Sequence, residues 1–105
     1  MKNVEIGCSA SCLLLKDLKK GLSEFRKNNI NLIEIVDEYP QRLTKRRVEI
    51  IKKFDFEYSV HGPFIHLLLP HPDKKIRRFY LKLLERSLKF AKELEAHEYI
   101  LHGGV

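Results

Sequence analysis

The fold is decided by the stretch Phe56-Glu57-Tyr58-Ser59-Val60-His61, in which apolar and polar side chains alternate. In an extended chain, successive side chains point to opposite faces. Phe56, Tyr58 and Val60 therefore share one face, and Glu57, Ser59 and His61 share the other. The alternation predicts a strand that ends at His61, just before the turn residues Gly62 and Pro63.

On both sides of this strand, short apolar segments alternate with longer amphipathic ones. Further strands are predicted at 4–8, 32–36 and 99–102. Helices are predicted along the Leu15, Leu18, Leu22 and Phe25 stripe up to Asn28-Asn29, at about 41–53, and from about Asp73 to Leu94. Such alternation is typical of βα units around a parallel sheet. The predicted fold class is α/β: a partial (β/α) TIM barrel, or half-barrel, of about four parallel strands and three helices.

The composition fits a single folded domain over residues 1–105. Hydrophobic residues make up 44% and charged residues 32% of the 105 positions, which is typical of a globular chain rather than a disordered one. No apolar run approaches the roughly 20 residues that cross a bilayer, and the N-terminal sequence has no secretory pattern. We therefore expect a cytoplasmic protein without a membrane partner.

The net charge and the two cysteines are less specific indications of function. The net charge of +6 would attract a phosphate-bearing partner, although many of the basic residues would face solvent on helices in any case. Cys8 and Cys12 are the only cysteines. Their spacing is not that of a structural zinc site, so we expect two small buried apolar side chains.

The order of predicted elements also bears on assembly. It leaves the fourth strand without a following helix, so an isolated four-stranded sheet would expose an edge and one face. We expect association, either as a homo-oligomer or with a missing C-terminal half.

Two histidines are the strongest candidates for chemistry. His61 and His102 each end a predicted strand, and each is followed by glycine, which is expected to let the backbone turn and a ligand approach closely. Since parallel strands joined by right-handed crossovers end at a common rim, the two imidazoles are expected to converge on one divalent metal, zinc or manganese. The alternative is that each histidine only forms hydrogen bonds in its own loop.

Four other residues are secondary candidates. Glu34 lies on the face of Leu32 and Val36 and is expected to act as a ligand or to orient one, with a wet edge position as an equal alternative. Ser59 shares the face of His61 and is expected to act as a ligand or to orient one, with simple packing as the alternative. Arg77 and Arg78 open the helix after the longest loop and are candidates for phosphate binding. Solvated helix faces are the alternative for these arginines.

At Ser59-Val60-His61-Gly62-Pro63-Phe64 the sequence resembles the xylose isomerase-like barrel superfamily. That group contains sugar and sugar-phosphate isomerases or epimerases and the endonuclease IV family. Further similar segments are Ile33-Glu34-Ile35, the helix from Arg77 through residues 84–94, and His102-Gly103-Gly104, so the resemblance covers essentially the whole chain. The sequence departs from the family at residues 7–11 and at Gly103.

The resemblance implies both ligands and function. By analogy with the endonuclease branch, His61 and His102 would bind metal, usually zinc. The sugar-isomerase branch more often uses manganese, magnesium or cobalt, held by residues of later strands that have no counterpart here. We expect the N-terminal half of a divalent-metal-dependent sugar or sugar-phosphate isomerase or epimerase, inactive alone and with its catalytic base unidentified. The alternatives are an endonuclease IV-like nuclease acting on abasic DNA, and a non-catalytic half-barrel that assembles with itself or a partner.

Overall fold

The computed structural model describes residues 4–13, 17–65 and 69–103. The elements, in chain order, are β1 (Cys8–Ser9), a 3-10 turn (Ala10–Leu13), α1 (Leu18–Lys27), β2 (Leu32–Val36), α2 (Lys45–Lys52), β3 (Glu57–His61), α3 (Lys74–Glu93) and β4 (Glu98–Ile100). The four strands form one parallel sheet in the order β1-β2-β3-β4. This sequential order confirms the predicted α/β class, with a four-stranded parallel sheet and three helices as in a (β/α) half-barrel.

One face of the sheet is covered by the helices. Right-handed crossovers between neighbouring parallel strands place all the connecting helices on the same side. Ile33 and Ile35 of β2 and Tyr58 and Val60 of β3 point to this side and are at most 3% exposed. They join a core that also contains buried apolar residues of the three helices, among them Leu22, Phe25, Val48, Ile51, Phe90 and Ala91.

The opposite face, which we call the open face, has no covering layer among the described residues. It presents the alternate strand residues, which are half-buried or exposed. The strand registers align these residues in rows across the sheet. One row contains Ser9, Glu34, Ser59 and Glu98, and the next contains Val36, His61 and Ile100. The alternation predicted for residues 56–61 is therefore confirmed.

Helix boundaries follow from capping chemistry. The Asp17, Thr44 and Asp73 side chains each accept a hydrogen bond from a backbone N–H in the first turn of α1, α2 and α3, respectively. Asn29, with φ 57°, ends α1 in the left-handed conformation, as expected for asparagine. Helix α2 begins at Lys45 rather than near residue 41, because Thr44 caps it. Leu15 of the predicted α1 stripe lies outside the described residues.

The two outer strands are shorter than predicted. Residues 4–7 are not in the sheet, and Val4 and Ile6 are 83% and 82% exposed. In the register of β1 with β2, the partners of Val4 and Ile6 would lie before Leu32, in the turn that follows α1 at Asn29. Strand β4 ends at Ile100 because its partner β3 ends at His61, so His102 lies just beyond the sheet. No helix of the described segments is long and apolar enough to cross a membrane.

Candidate metal centre

The two predicted ligands meet at the carboxyl end of the sheet. His61 is the last residue of β3 and pairs in register with Ile100 of β4. The Gly62 N–H donates a 2.9 Å hydrogen bond to the Ile100 carbonyl, so the two strands stay aligned past the end of the ladder. His102 follows Ile100 by two residues. The structure thus brings His61 and His102 together, as expected for residues at the ends of neighbouring parallel strands.

Their imidazoles are in direct contact through the nitrogens that would bind a metal. The Nε2 atoms of His61 and His102 are 3.0 Å apart, and the ring centroids are 4.8 Å apart. Nδ1 of His61 lies 2.9 Å from the Gly62 carbonyl oxygen. Since a carbonyl oxygen only accepts, Nδ1 of His61 carries the proton, and its Nε2 lone pair faces His102. His102 Nε2–H then donates to His61 Nε2.

This arrangement fits a pair of metal ligands. Imidazole nitrogens bind zinc at about 2.0–2.1 Å, so two of them on one ion lie about 3.0 Å apart at a right angle and about 3.4 Å apart at the tetrahedral angle. The observed separation of 3.0 Å needs little adjustment. A ligating histidine ordinarily donates its other N–H to a carbonyl or carboxylate, as His61 does to Gly62. His102, which is exposed, would only have to transfer its proton to Nδ1.

The pair supplies two ligands. Within residues 4–13, 17–65 and 69–103, no group of three or more His, Cys, Asp or Glu side chains is arranged to hold a metal ion. His71 is committed elsewhere, because its Nδ1 accepts the Asp73 N–H. His97 is exposed and lies directly before β4, at the opposite end of the strand from the rim. His66 lies outside the described residues.

Phe64 covers the two imidazoles. Its ring centroid is 4.9 Å from that of His61, edge to face, and 5.5 Å from that of His102. The Phe64 side chain is 40% exposed, so it forms one wall of a site that remains open to solvent. An apolar wall of this kind lowers the local polarity around a bound ion.

A residue that the sequence analysis missed, Glu38, holds Phe64 in this position. Glu38 follows β2 and is only 6% exposed. Its Oε2 accepts the N–H groups of Phe64 and Ile65 at 2.9 and 3.0 Å, its Oε1 accepts that of Tyr39 at 3.0 Å, and the Arg42 guanidinium lies 3.9 Å from Oε1. Burial by itself would raise the pKa of the Glu38 carboxyl, but these three N–H groups and the guanidinium outweigh it, so the pKa lies below its ordinary value.

Asp37, the residue before Glu38, fixes the backbone of His61. Its N–H donates a 2.8 Å hydrogen bond to the His61 carbonyl, while its buried carboxylate accepts the Leu43 N–H at 2.7 Å. The sequence signal that could have found both residues is an acidic pair directly after a predicted strand. Such a pair stands at the rim where the histidines also lie.

Gly62 has a packing role that differs from the one expected. A β-carbon at this position would overlap the hydroxyl and ring of Tyr99, whose hydroxyl donates a 2.8 Å hydrogen bond to Ser87 of α3. Gly103, by contrast, has no atom within 4 Å of the position of a β-carbon. Close packing against Tyr99, rather than space for a ligand, accounts for the glycine after His61.

Glu34 and Ser59 share the face of His61 but belong to the neighbouring row. They are paired in register and lie two residues, about 6.6 Å, before the rim. Both line a concavity of about 380 Å³ on the open face, together with Ser9 and Glu98. No hydrogen bond among the described residues joins Glu34 to either imidazole, so its role as a ligand or orienting group stays a prediction.

Arg77 and Arg78 differ from each other. Arg77 is half-buried, and its Nη1 donates 2.8 Å hydrogen bonds to the carbonyls of His71 and Pro72, which ties the preceding loop to α3. Arg78 is exposed. The Asp73 carboxylate already accepts the Lys75 N–H at the start of α3, where a phosphate would otherwise bind. A phosphate site here stays a prediction.

Comparisons with known proteins add little about function. No protein-family model matches the chain. The chain is similar to an uncharacterized protein of Methanocaldococcus jannaschii, at 22% identity over 106 residues. The match covers 97% of this chain and 36% of that protein, so the chain spans about a third of the length of the relative that it matches.

Proposed function

We propose that this chain supplies the two-histidine part of a divalent-metal site in a xylose isomerase-like barrel that isomerises or epimerises a sugar or sugar phosphate. The observation that carries the proposal is the 3.0 Å approach of the His61 and His102 Nε2 atoms, with the His61 Nδ1 proton held by the Gly62 carbonyl. Zinc or manganese is the expected ion: imidazole ligands suit zinc, and manganese would bind if oxygen ligands such as carboxylates complete the site.

Each residue at the rim has a defined task in this proposal. A divalent metal, when bound, would polarise adjacent hydroxyl and carbonyl oxygens of the sugar. His61 and His102 hold the ion, Phe64 excludes water from one side, and Glu38 keeps Phe64 in place. The carboxylate that moves the substrate proton is unassigned. We also propose a cytoplasmic location, which cell fractionation would test.

The direct test of this proposal is metal content coupled to substrate response. Wild-type protein dialysed against zinc or manganese should retain about one ion per chain. His61→Ala combined with His102→Ala should abolish that binding without unfolding the chain, whereas His97→Ala, an exposed histidine away from the rim, should not. Sugar phosphates added to the metal-loaded wild type should shift the NMR signals of His61 and Phe64. Unchanged metal content in the double variant would refute the site. If no sugar or sugar phosphate shifts these NMR signals, the substrate class is refuted.

The net charge of +6 and the use of histidine ligands favour a second candidate, an endonuclease IV-like nuclease acting on abasic DNA. Phosphate contacts make DNA binding steeply dependent on salt. A fluorescence-anisotropy titration with abasic and intact duplexes at several salt concentrations would separate the candidates. Preference for the abasic duplex at every salt concentration supports the nuclease. Equal, salt-sensitive binding of both duplexes indicates only a basic surface.

The open face favours a third candidate, a non-catalytic half-barrel that assembles with a second copy or another chain. Closing a barrel would cover this face and pair the edge strands β1 and β4. Size-exclusion chromatography with light scattering, with and without metal, would show a stable oligomer that binds no metal if this candidate is correct.

A further inference from the structure

The two cysteines form a pair that is separate from the histidine site. Cys8 opens β1, and Cys12 lies in the 3-10 turn that follows. Both are free thiols, and their Sγ atoms are 4.0 Å apart, within the range of a weak S–H···S hydrogen bond. A disulfide bond is about 2.05 Å long, so the sulfurs must approach by about 2 Å. Both cysteines were expected to be buried; instead Cys8 is half-buried and Cys12 is exposed, so solvent molecules can reach the Cys12 thiol.

The surroundings of the two thiols are unequal. Cys8 is half-buried, and burial, followed by the hydrogen bond and charge of Cys12, raises the pKa of its thiol. The thiolate is the form that attacks a disulfide, and attack also requires access. Exposure therefore favours Cys12 as the thiol that reacts first with a molecule from solvent, with Cys8 placed to react second.

We propose that Cys8 and Cys12 form a reversible dithiol site that reacts with low-molecular-weight disulfides of the glutathione class. The Cys12 thiolate attacks one sulfur of the external disulfide, forms a mixed disulfide and releases one small thiol. Cys8 then attacks Sγ of Cys12, loses its proton to solvent and releases the second small thiol. The protein pair is oxidised by two electrons, and the external disulfide is reduced to two thiols.

The position of the pair gives oxidation a structural consequence. The resulting ring would close over only the residues between Cys8 and Cys12, and so short a loop constrains the unfolded chain little. A bond of this kind, on an exposed turn, belongs to the readily reduced class. Cys8 also lines the open-face concavity beside Ser9 and Glu34. Oxidation would therefore alter one wall of that concavity.

Mass spectrometry of the folded, full chain after incubation with oxidised glutathione tests the proposal without reference to metal or substrate. Wild-type protein should lose about 2 Da and carry no stable adduct, and a thiol reductant should restore the original mass. Cys8→Ser should instead accumulate a single adduct of about 305 Da, because the second thiol is absent. Cys12→Ser should form its adduct more slowly than Cys8→Ser.

Two results would overturn the inference. One is a wild-type protein that accumulates glutathione adducts instead of losing about 2 Da. The other is equal reactivity of the two single variants, which would show that exposure does not order the steps. Repeating the reaction in urea provides the control, since the two thiols should then react at similar rates.

Discussion

Replacing Glu38 tests how the loop that carries Phe64 is held over the histidines. Glu38→Ala removes a buried acceptor of three backbone N–H groups. Hydrogen bonds to a charged group contribute about 1.5–3 kcal/mol each, so three would sum to about 4.5–9 kcal/mol. That sum is an upper bound, because Phe64, Ile65 and Tyr39 are exposed and water can reach their N–H groups in the variant. We expect a loss of about 2–4 kcal/mol in the free energy of unfolding, measured by urea titration.

The effect of Glu38 on the site is separable from its effect on stability. Because Phe64 would no longer be fixed against the imidazoles, zinc affinity should fall by about tenfold in Glu38→Ala under conditions where the variant is still folded. Glu38→Gln keeps an acceptor oxygen and should lose less of both quantities. Glu49→Ala, at an exposed glutamate of α2, provides the control and should change neither.

The same carboxylate predicts a dependence on pH. Its pKa in the folded chain lies below the ordinary value of 4.5, so Glu38 stabilises the fold at pH values above 4.5. That contribution is lost as the pH falls from 4.5 through the lowered pKa, and the loss should be weaker in Glu38→Gln. The reasoning is refuted if the free energy of unfolding of Glu38→Ala differs from that of the wild type by less than about 0.5 kcal/mol, the range of an ordinary surface substitution.

Two further substitutions test the packing beneath the rim. Tyr58→Phe removes a hydroxyl that donates to the Ile51 carbonyl and should lower the free energy of unfolding by about 1–3 kcal/mol. Because burial raises the pKa of Tyr58 above 10.0, wild-type stability should also fall as the pH rises past 10.0. The same loss of stability at alkaline pH in Tyr58→Phe would contradict this. Gly62→Ala should lower the free energy of unfolding, measured in urea, by about 1–3 kcal/mol because the added carbon overlaps Tyr99. Gly103→Ala should leave this free energy nearly unchanged. Equal effects of the two substitutions would show that packing against Tyr99 is not what requires glycine at position 62.

The features that the sequence predicted were those set by local periodicity and by topology. The alternation at residues 56–61 survives because one face of β3 packs on helices and the other does not. Convergence of His61 and His102 follows from parallel strands that end together, which needs no knowledge of side-chain conformation. The predicted start of α3 near Asp73 is confirmed, because the Asp73 carboxylate accepts a first-turn N–H group.

The features that the sequence did not predict depend on distant or absent neighbours. The Glu38 partners Phe64 and Ile65 are 26 and 27 residues away, so no local pattern points to them. Val4 and Ile6 have the composition of a strand, but β2, which pairs with β1, begins only at Leu32 and does not reach them. Cys12 was placed in the core on residue type alone, whereas the 3-10 turn directs it outward.

The central claim is that both imidazoles bind one ion through Nε2, and NMR of ¹⁵N-labelled histidine tests it most directly. On addition of about one equivalent of zinc, the Nε2 resonances of His61 and His102 should both shift, while Nδ1 of His61 stays protonated and Nδ1 of His102 becomes protonated. A response from one ring alone, or coordination through Nδ1 of His61, would contradict the account.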